Sequence, residues 1–263
     1  MGKQMKLTEQ NLPAARGAVR ARARGIAAVM LLLAGAIVLI GADREPASRP
    51  ASAPAGRRVI YQHPHGVGTP PGRISGASRG ADDQSPRLVA LVPRNLPMYT
   101  VSEHPALFWQ LSKDTDLPAR MTVRAINGNS KPIIDRIIGG PKRAGVQRFE
   151  LAIDGAPSLQ PDLNYEWIIS LLQDEESPDK NPFAGGFIRR IPVDDSLKAD
   201  LQRCADDVER AAAFASHGIW YDAQGALQAG MQNNPPDEHA RDEWEKLLAD
   251  EDLKSVAGSQ SQR

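Results

Sequence analysis

The sequence predicts an α+β protein in which an antiparallel, immunoglobulin-like β-sandwich is followed by helices. Three observations support this fold class. Residues 87–193 contain short apolar runs separated by turn residues, and residues 194–254 change to a helical period. Residues 25–42 form an uncharged apolar run with the length of a transmembrane or signal helix. The chain therefore has a membrane-targeting part, a β-rich part and a helical part.

The N-terminal arm, residues 1–24, is basic and precedes the apolar run of residues 25–42. Lys and Arg beside a first apolar segment keep that end in the cytoplasm. We therefore expect a bacterial inner-membrane protein with one span, a cytoplasmic N-terminus and a periplasmic C-terminal domain. The alternative is a signal peptide cleaved near Ala42, which would leave a periplasmic or secreted protein.

Residues 43–86 are rich in Pro, Ala, Gly and Ser, with few large apolar side chains. Such a composition buries too little apolar surface to offset the entropy lost on ordering. The range is predicted to be a disordered linker, and residues 255–263 are predicted to be a disordered tail.

The β-rich part, residues 87–193, contains seven predicted strands. They are Leu88–Val92, Leu107–Leu111, Arg120–Asn127, Ile133–Ile138, Gln147–Ile153, Tyr165–Leu172 and Gly186–Ile191. Apolar residues alternate with polar ones in several of them, as expected for strands with one buried face. Many short strands with frequent turns are typical of a β-sandwich.

Aromatic residues of this part have structural interpretations. Leu159, Pro161 and Tyr165 have the spacing of a tyrosine corner, in which the tyrosine hydroxyl bonds to upstream backbone. Trp109 and Trp167 lie in predicted strands and are expected to fill the core.

Residues 194–254 predict three helices. The first has a stripe of small and apolar residues: Leu197, Leu201, Cys204, Val208, Ala212 and Ala215. Asp195 or Ser196 is its predicted N-cap, and Cys204 is interpreted as a small buried residue and not a nucleophile. The second helix is predicted from Tyr221 to about Gln232, and the third ends near Leu253.

The second predicted helix resembles part of a tetratricopeptide unit. Trp220, Ala223 and Pro235 have the spacing of its second half. A single unit does not bury its apolar face alone, so we expect this hairpin to pack on the sandwich or on the third helix.

Five segments carry a family resemblance: residues 88–93, 100–109, 159–167, 186–190 and 218–223. In these segments the chain resembles a bacterial family of exported proteins, the domain-of-unknown-function family numbered 928. The resemblance extends over about residues 72–256 and implies an architecture and export without an assigned activity. Asp82 and Gln173 stand where relatives carry cysteines, so the disulfide that the resemblance implies is absent.

Charge and motifs exclude several functions. The chain has 32 basic and 32 acidic side chains, and residues 194–254 have 6 basic against 15 acidic. Nucleic acid is therefore not an expected partner, because phosphate binding needs a basic face. The single cysteine excludes an internal disulfide. We find no nucleotide, zinc-protease or serine-hydrolase motif, so no catalytic, metal or cofactor-binding residue is predicted.

The leading hypothesis is a non-catalytic protein-interaction module of the cell envelope, held in the membrane through residues 25–42. Its partner would be another envelope protein, and Trp220, Tyr221 and Asp222 are the predicted interaction surface. The alternative is a periplasmic or secreted hydrolase acting on cell-wall or polysaccharide material, although an enzyme is the less favoured class.

Overall fold

The computed structural model describes residues 57–64, 73–76, 85–94, 98–126, 131–140, 142–152, 157–174, 176, 178–251 and 253. The predicted basic arm and apolar run (1–42), the first part of the predicted linker (43–56), Asp82 and the predicted tail (255–263) lie outside them. No helix among the described residues combines the length and apolar character that crossing a membrane requires.

The described part of the chain has nine strands and four α-helices. The strands are β1 (Arg73–Gly76), β2 (Leu88–Ala90), β3 (Tyr99–Thr100), β4 (Ala106–Leu111), β5 (Ala119–Ala125), β6 (Ile134–Ile138), β7 (Gly145–Glu150), β8 (Asn164–Leu171) and β9 (Phe183–Arg190). The helices are α1 (Asp195–Gln202), α2 (Asp207–Ser216), α3 (Trp220–Gln232) and α4 (Glu238–Asp250).

The strands form two sheets. The larger has the order β1-β9-β8-β5-β6, and the short β3 also pairs with β9. The smaller has the order β2-β4-β7. All pairs are antiparallel except β3 with β9, which is parallel. The chain is therefore an α+β protein with antiparallel sheets, as the sequence predicts.

Strand β8 shows why the sequence pattern works in this part. Its side chains alternate between partly and fully buried, and Tyr165, Trp167, Ile169 and Leu171 face the core. The hydroxyl of Tyr165 accepts a hydrogen bond from the backbone N–H of Gln160 at 2.8 Å. The upstream bond that the tyrosine-corner spacing predicts is thus present.

The structure corrects the linker prediction for residues 43–86. Within that range β1 pairs with β9, placing Ile74 opposite Gly185. Residues 57–64 also pack on the fold, since Val59 is 0% and Tyr61 is 8% exposed. Both segments are too short for the composition of the whole range to reveal them.

The first predicted helix is two helices, and this corrects the position of Cys204. Asp194 caps α1 by accepting from the Leu197 N–H, and Asp206 caps α2 by accepting from the Glu209 N–H. An aspartate whose side chain accepts from the free N–H groups of the following turn favours the start of a new helix. Asp206 therefore divides the predicted stripe of apolar residues between α1 and α2. Cys204 lies between the two helices, half-buried, and its thiol donates to the Asp200 carbonyl.

Helices and sheets share their interior. Buried side chains of both sheets and of α2, α3 and α4 belong to one hydrophobic cluster, and the described elements fall in one compact unit, residues 52–263. The helices therefore complete the core of the β-rich part.

Candidate functional site

Trp220 is the first residue of α3, and it is hydrogen-bonded to the residue that follows β2 of the smaller sheet. Its indole N–H donates to the Leu91 carbonyl at 2.9 Å, and the same oxygen accepts from the amide of Gln224 at 3.0 Å. Both side chains are 0% exposed. One loop carbonyl thus anchors the first two turns of α3.

Tyr221 links α3 to the larger sheet. Its hydroxyl accepts from the Trp167 indole N–H at 2.8 Å and donates to the Phe187 carbonyl at 2.9 Å. Burial raises the pKa of this phenol well above its usual value. A phenol held neutral in this way serves as a two-sided hydrogen-bonding group inside the protein.

Asp222 fixes the chain just after β3. Its carboxylate accepts from the Thr100 hydroxyl at 2.7 Å and from the Val101 N–H at 3.1 Å. Burial raises the pKa of the carboxyl, and the hydrogen bonds from Thr100 and Val101 partly oppose that shift. Asp222 lies in the first turn of α3, where the free backbone N–H groups of the helix N-terminus favour a negative charge.

The three residues of the predicted interaction surface therefore bind the chain's own sheets. Trp220 is 0% and Tyr221 is 1% exposed, so neither side chain is available to a partner in this structure. The sequence predicted these residues as a surface for a partner, and in this structure their hydrogen bonds are made within the chain.

A second contact surface lies on the helices. Residues 57–64, which we call the strap, contact the helices without forming a helix or strand, with Val59 and Tyr61 buried and Ile60 between them exposed. The backbone N–H of Val59 donates to the Glu243 carboxylate at 2.7 Å, and that of Gln62 donates to the Ala215 carbonyl at 2.9 Å. The strap is thus held by alternating side chains and by backbone bonds, as a bound peptide is.

The ring of Tyr61 makes the central contact of the strap. It meets Trp220 edge-on with ring centroids 4.9 Å apart, and its hydroxyl donates to the Gly218 carbonyl at 3.3 Å. Gly218 has φ +70°, and a Cβ there would lie 3.0 Å from the Gln62 carbonyl oxygen and 3.2 Å from Pro64. A glycine is required here both by the backbone conformation and by the strap.

Glu243 provides the charged anchor of the strap. It is 1% exposed and also accepts from Lys246 at 2.8 Å. Burial disfavours the carboxylate, yet the Lys246 ammonium and the Val59 N–H outweigh it, so the pKa of Glu243 is lowered. The group is therefore ionised at neutral pH and is available as an acceptor.

Side-chain contacts with acidic residues flank the strap at its edges. Arg58 pairs with Asp250 at 3.7 Å, with the side chains 60% and 54% exposed. His63 Nε2 lies 2.7 Å from a carboxylate oxygen of Glu251. We call the surface beneath the strap the strap groove, and it consists of Ala215, Gly218, Trp220, Glu243, Asp250 and Glu251.

Sequence reasoning missed the strap groove. The apolar residues of the strap, Val59, Ile60 and Tyr61, are consecutive, so the sequence lacks the alternation of apolar and polar residues that signals one buried face. Glu243 carries no signal, because the residue it binds, Val59, is 184 positions away.

The described residues offer little for catalysis. His217 Nε2 lies 2.8 Å from the Asp200 carboxylate, and both side chains are partly exposed. The nearby Cys204 thiol donates to a backbone carbonyl, and burial raises its pKa, which is the opposite of an activated nucleophile. Among the described residues no group of three or more His, Cys, Asp or Glu side chains has the arrangement of a metal site.

A polar cleft of about 380 Å³ lies between the β4–β5 and β6–β7 connections, lined by Asp114, Thr115, Asp116, Lys142 and Arg143. The Lys142 ammonium donates to the carbonyls of Leu117 and Gly140, and burial lowers its pKa. This lysine ties two connections together, so its contacts are structural.

Comparison with known proteins places the chain in a family. No curated protein matches it. The family model described as Domain of Unknown Function (DUF928) matches residues 74–261, which includes all the helices and omits the strap. The groove therefore lies within the family domain, while the segment that occupies it comes from outside the match. The chain belongs to the DUF928 family.

Proposed function

We propose that the chain is a non-catalytic protein-interaction module of the bacterial envelope and that the strap groove is its binding surface. In this proposal the two sheets are an immunoglobulin-like sandwich, α2 and α3 are a tetratricopeptide-like hairpin, and residues 25–42 hold the module outside the cytoplasmic membrane, or export it if they are cleaved. The partner is an extended segment of another envelope protein.

One observation carries this proposal: the groove already holds a peptide, the chain's own strap. Alternating burial of Val59 and Tyr61 gives side-chain selectivity, and the backbone bonds to Glu243 and Ala215 hold any extended segment. Extended peptides are commonly recognised by this combination of backbone bonds and alternate pockets. The acidic character of the helices favours a basic segment.

The test uses the full-length chain with a weakened strap, Val59→Ser/Tyr61→Ser, and a fluorescent peptide containing residues 55–66. We expect the peptide to bind the weakened variant measurably and the wild type far more weakly. The reason is that a tethered strap competes at an effective concentration on the order of millimolar. Fluorescence anisotropy measures both affinities.

Two controls make the result decisive. Ile60 is 56% exposed, so Ile60→Ser is expected to keep the strap seated and to bind the peptide as weakly as the wild type. A peptide with serine at both buried positions is expected not to bind. A weakened variant that keeps its native circular dichroism and melting transition, and yet binds no peptide, would refute the groove; the single variant Tyr61→Ala answers the same question if the double variant unfolds.

A further inference from the structure

We infer that the strap passes from its own groove into the groove of a second copy, so that two copies of this chain assemble by exchanging residues 57–64. This inference rests on the proposed function, because it names a specific occupant for the strap groove. It differs from that function in requiring a second copy of the same chain as the partner.

The first argument is fit. The strap makes its backbone bonds through Val59 and Gln62 and its ring contact through Tyr61, all with residues of the family domain. A strap from a second copy makes the same contacts in the same geometry. Mutual exchange is two-fold symmetric and closed, so it loses no native contact and creates no open-ended assembly.

The second argument is charge. The strap begins with Arg57 and Arg58, and Arg58 pairs with Asp250. The pKa of Asp200 is lowered mainly by its hydrogen bond with His217, and the positive charge of Arg57 makes a smaller contribution in the same direction. Residues 194–254 have 15 acidic against 6 basic side chains, so the helices of one copy attract the basic strap of another.

The third argument is reach. Eight residues, 65–72, connect the strap to β1 and span at most about 30 Å when extended. Exchange therefore requires two copies side by side. Attachment to one membrane through the predicted anchor would provide this proximity and raise the local concentration against the cis strap.

The experiment places single thiols across the strap groove in full-length chains. One chain carries Arg58→Cys and the other Asp250→Cys, both with Cys204→Ser, and the two are co-expressed with different tags. The replaced side chains are 60% and 54% exposed, so these changes leave the core intact. A short bifunctional maleimide then joins thiols that lie across one groove.

The expected result is a covalent pair carrying both tags, at roughly tenfold the yield of a control pair, because exchange holds the two thiols at high effective concentration. The control combines Arg124→Cys with Asp250→Cys; Arg124 is 54% exposed, lies on β5 and pairs with Glu166 of β8. Adding Tyr61→Ser to the Arg58→Cys chain is expected to lower the mixed product to the control yield.

A single chain with both thiols separates the two proposals. Mixed product at the control yield, together with efficient crosslinking inside this double variant, would overturn exchange and leave the strap groove intact. Crosslinking neither within the double variant nor between chains would overturn both, since the strap would then not occupy the groove at all.

Discussion

Within the described part of the chain, the helices contact both the sheets and the strap, and these two contacts are built differently. Toward the sheets, Trp220 and Tyr221 are fully enclosed and each makes hydrogen bonds to the β-rich part. Toward the strap, eight residues bury two apolar side chains, and the outer pair of Arg58 with Asp250 is mostly exposed to solvent.

This difference separates a contact that defines the fold from one that can open. Removing the helices from the sheets would uncover a shared core, so that contact opens only in global unfolding. Releasing the strap uncovers far less apolar surface and breaks few buried hydrogen bonds, so it opens at lower free energy. A binding site needs the second kind of contact.

The largest effect is expected from Trp220→Ala. The change deletes a fully buried indole and leaves the Leu91 carbonyl with one donor instead of two. Loss of such a side chain costs about 3–5 kcal/mol of the free energy of unfolding. Urea denaturation of the full chain measures it, with Ile137→Ala, 66% exposed, as the control that should change stability little. The Trp220 ring also contacts Tyr61 of the strap, so the measured loss includes that contact. A loss as small as that of the control would contradict a fold-defining role for Trp220.

A smaller loss is expected from Tyr221→Phe. The ring stays, but the Trp167 N–H and the Phe187 carbonyl each lose a partner inside the core. Leaving buried polar groups without partners costs about 1–3 kcal/mol each, and relaxation or water entry lowers the sum. Tyr99→Phe on β3, where the residue is partly exposed, is the matched control. Equal denaturation midpoints for the two variants would contradict the importance of the buried bonds.

The β-rich part was predictable because its signals are local. Alternating burial in β8 follows directly from the order of Tyr165, Trp167 and Ile169, and all seven predicted strands are present within a few residues of their expected ends. The two-residue β3 escaped prediction because pairing with β9, and not its own pattern, makes it a strand.

The candidate site was predictable only in part because its contacts are distant in sequence. An aromatic residue such as Trp220 has the same sequence signal whether it binds a partner or its own sheet. The strap has only three consecutive large apolar residues, and its order depends on groove residues more than 150 positions later, such as Gly218 and Glu243. Composition alone therefore indicates disorder.

Gly218→Ala tests the strap contact from the helical side. Gly218 follows α2 at φ +70° and faces the strap, whereas Gly225 lies within α3 with open space around it. We expect Gly218→Ala to cost about 1–2 kcal/mol, because an L-residue is strained at positive φ. Hydrogen exchange at residues 57–64 should accelerate more than exchange in β8. Gly225→Ala is the control and is expected to stabilise α3 by about 0.5–1 kcal/mol; unchanged exchange in the strap of Gly218→Ala would show that the strap does not depend on this glycine.

The smallest expected effect is the pH dependence of the free energy of unfolding that the carboxylates of Asp222 and Glu243 contribute, and the two contributions have opposite signs. Asp222, toward the sheets, has a pKa raised from 3.8 by burial, so its contribution to stability is complete below that pH and is lost as pH rises through the folded-state pKa. Glu243, under the strap, has a pKa lowered from 4.5, because Lys246 and the Val59 N–H overcome burial. Its contribution is present above that pH and is lost as pH falls through the folded-state pKa.

Denaturation of wild type, Asp222→Asn and Glu243→Gln between about pH 7 and about pH 3 separates these signs, because the Glu243 contribution is lost only below its usual pKa. As pH falls, wild type should gain stability relative to Asp222→Asn and lose it relative to Glu243→Gln. Slopes of the same sign would contradict the assignment of the two carboxylates to differently built contacts. Opposite slopes would mean that acid weakens the contacts of Glu243 with Lys246 and the strap while it strengthens the contacts of Asp222 with the sheets, which is the behaviour expected of a groove that opens on an intact domain.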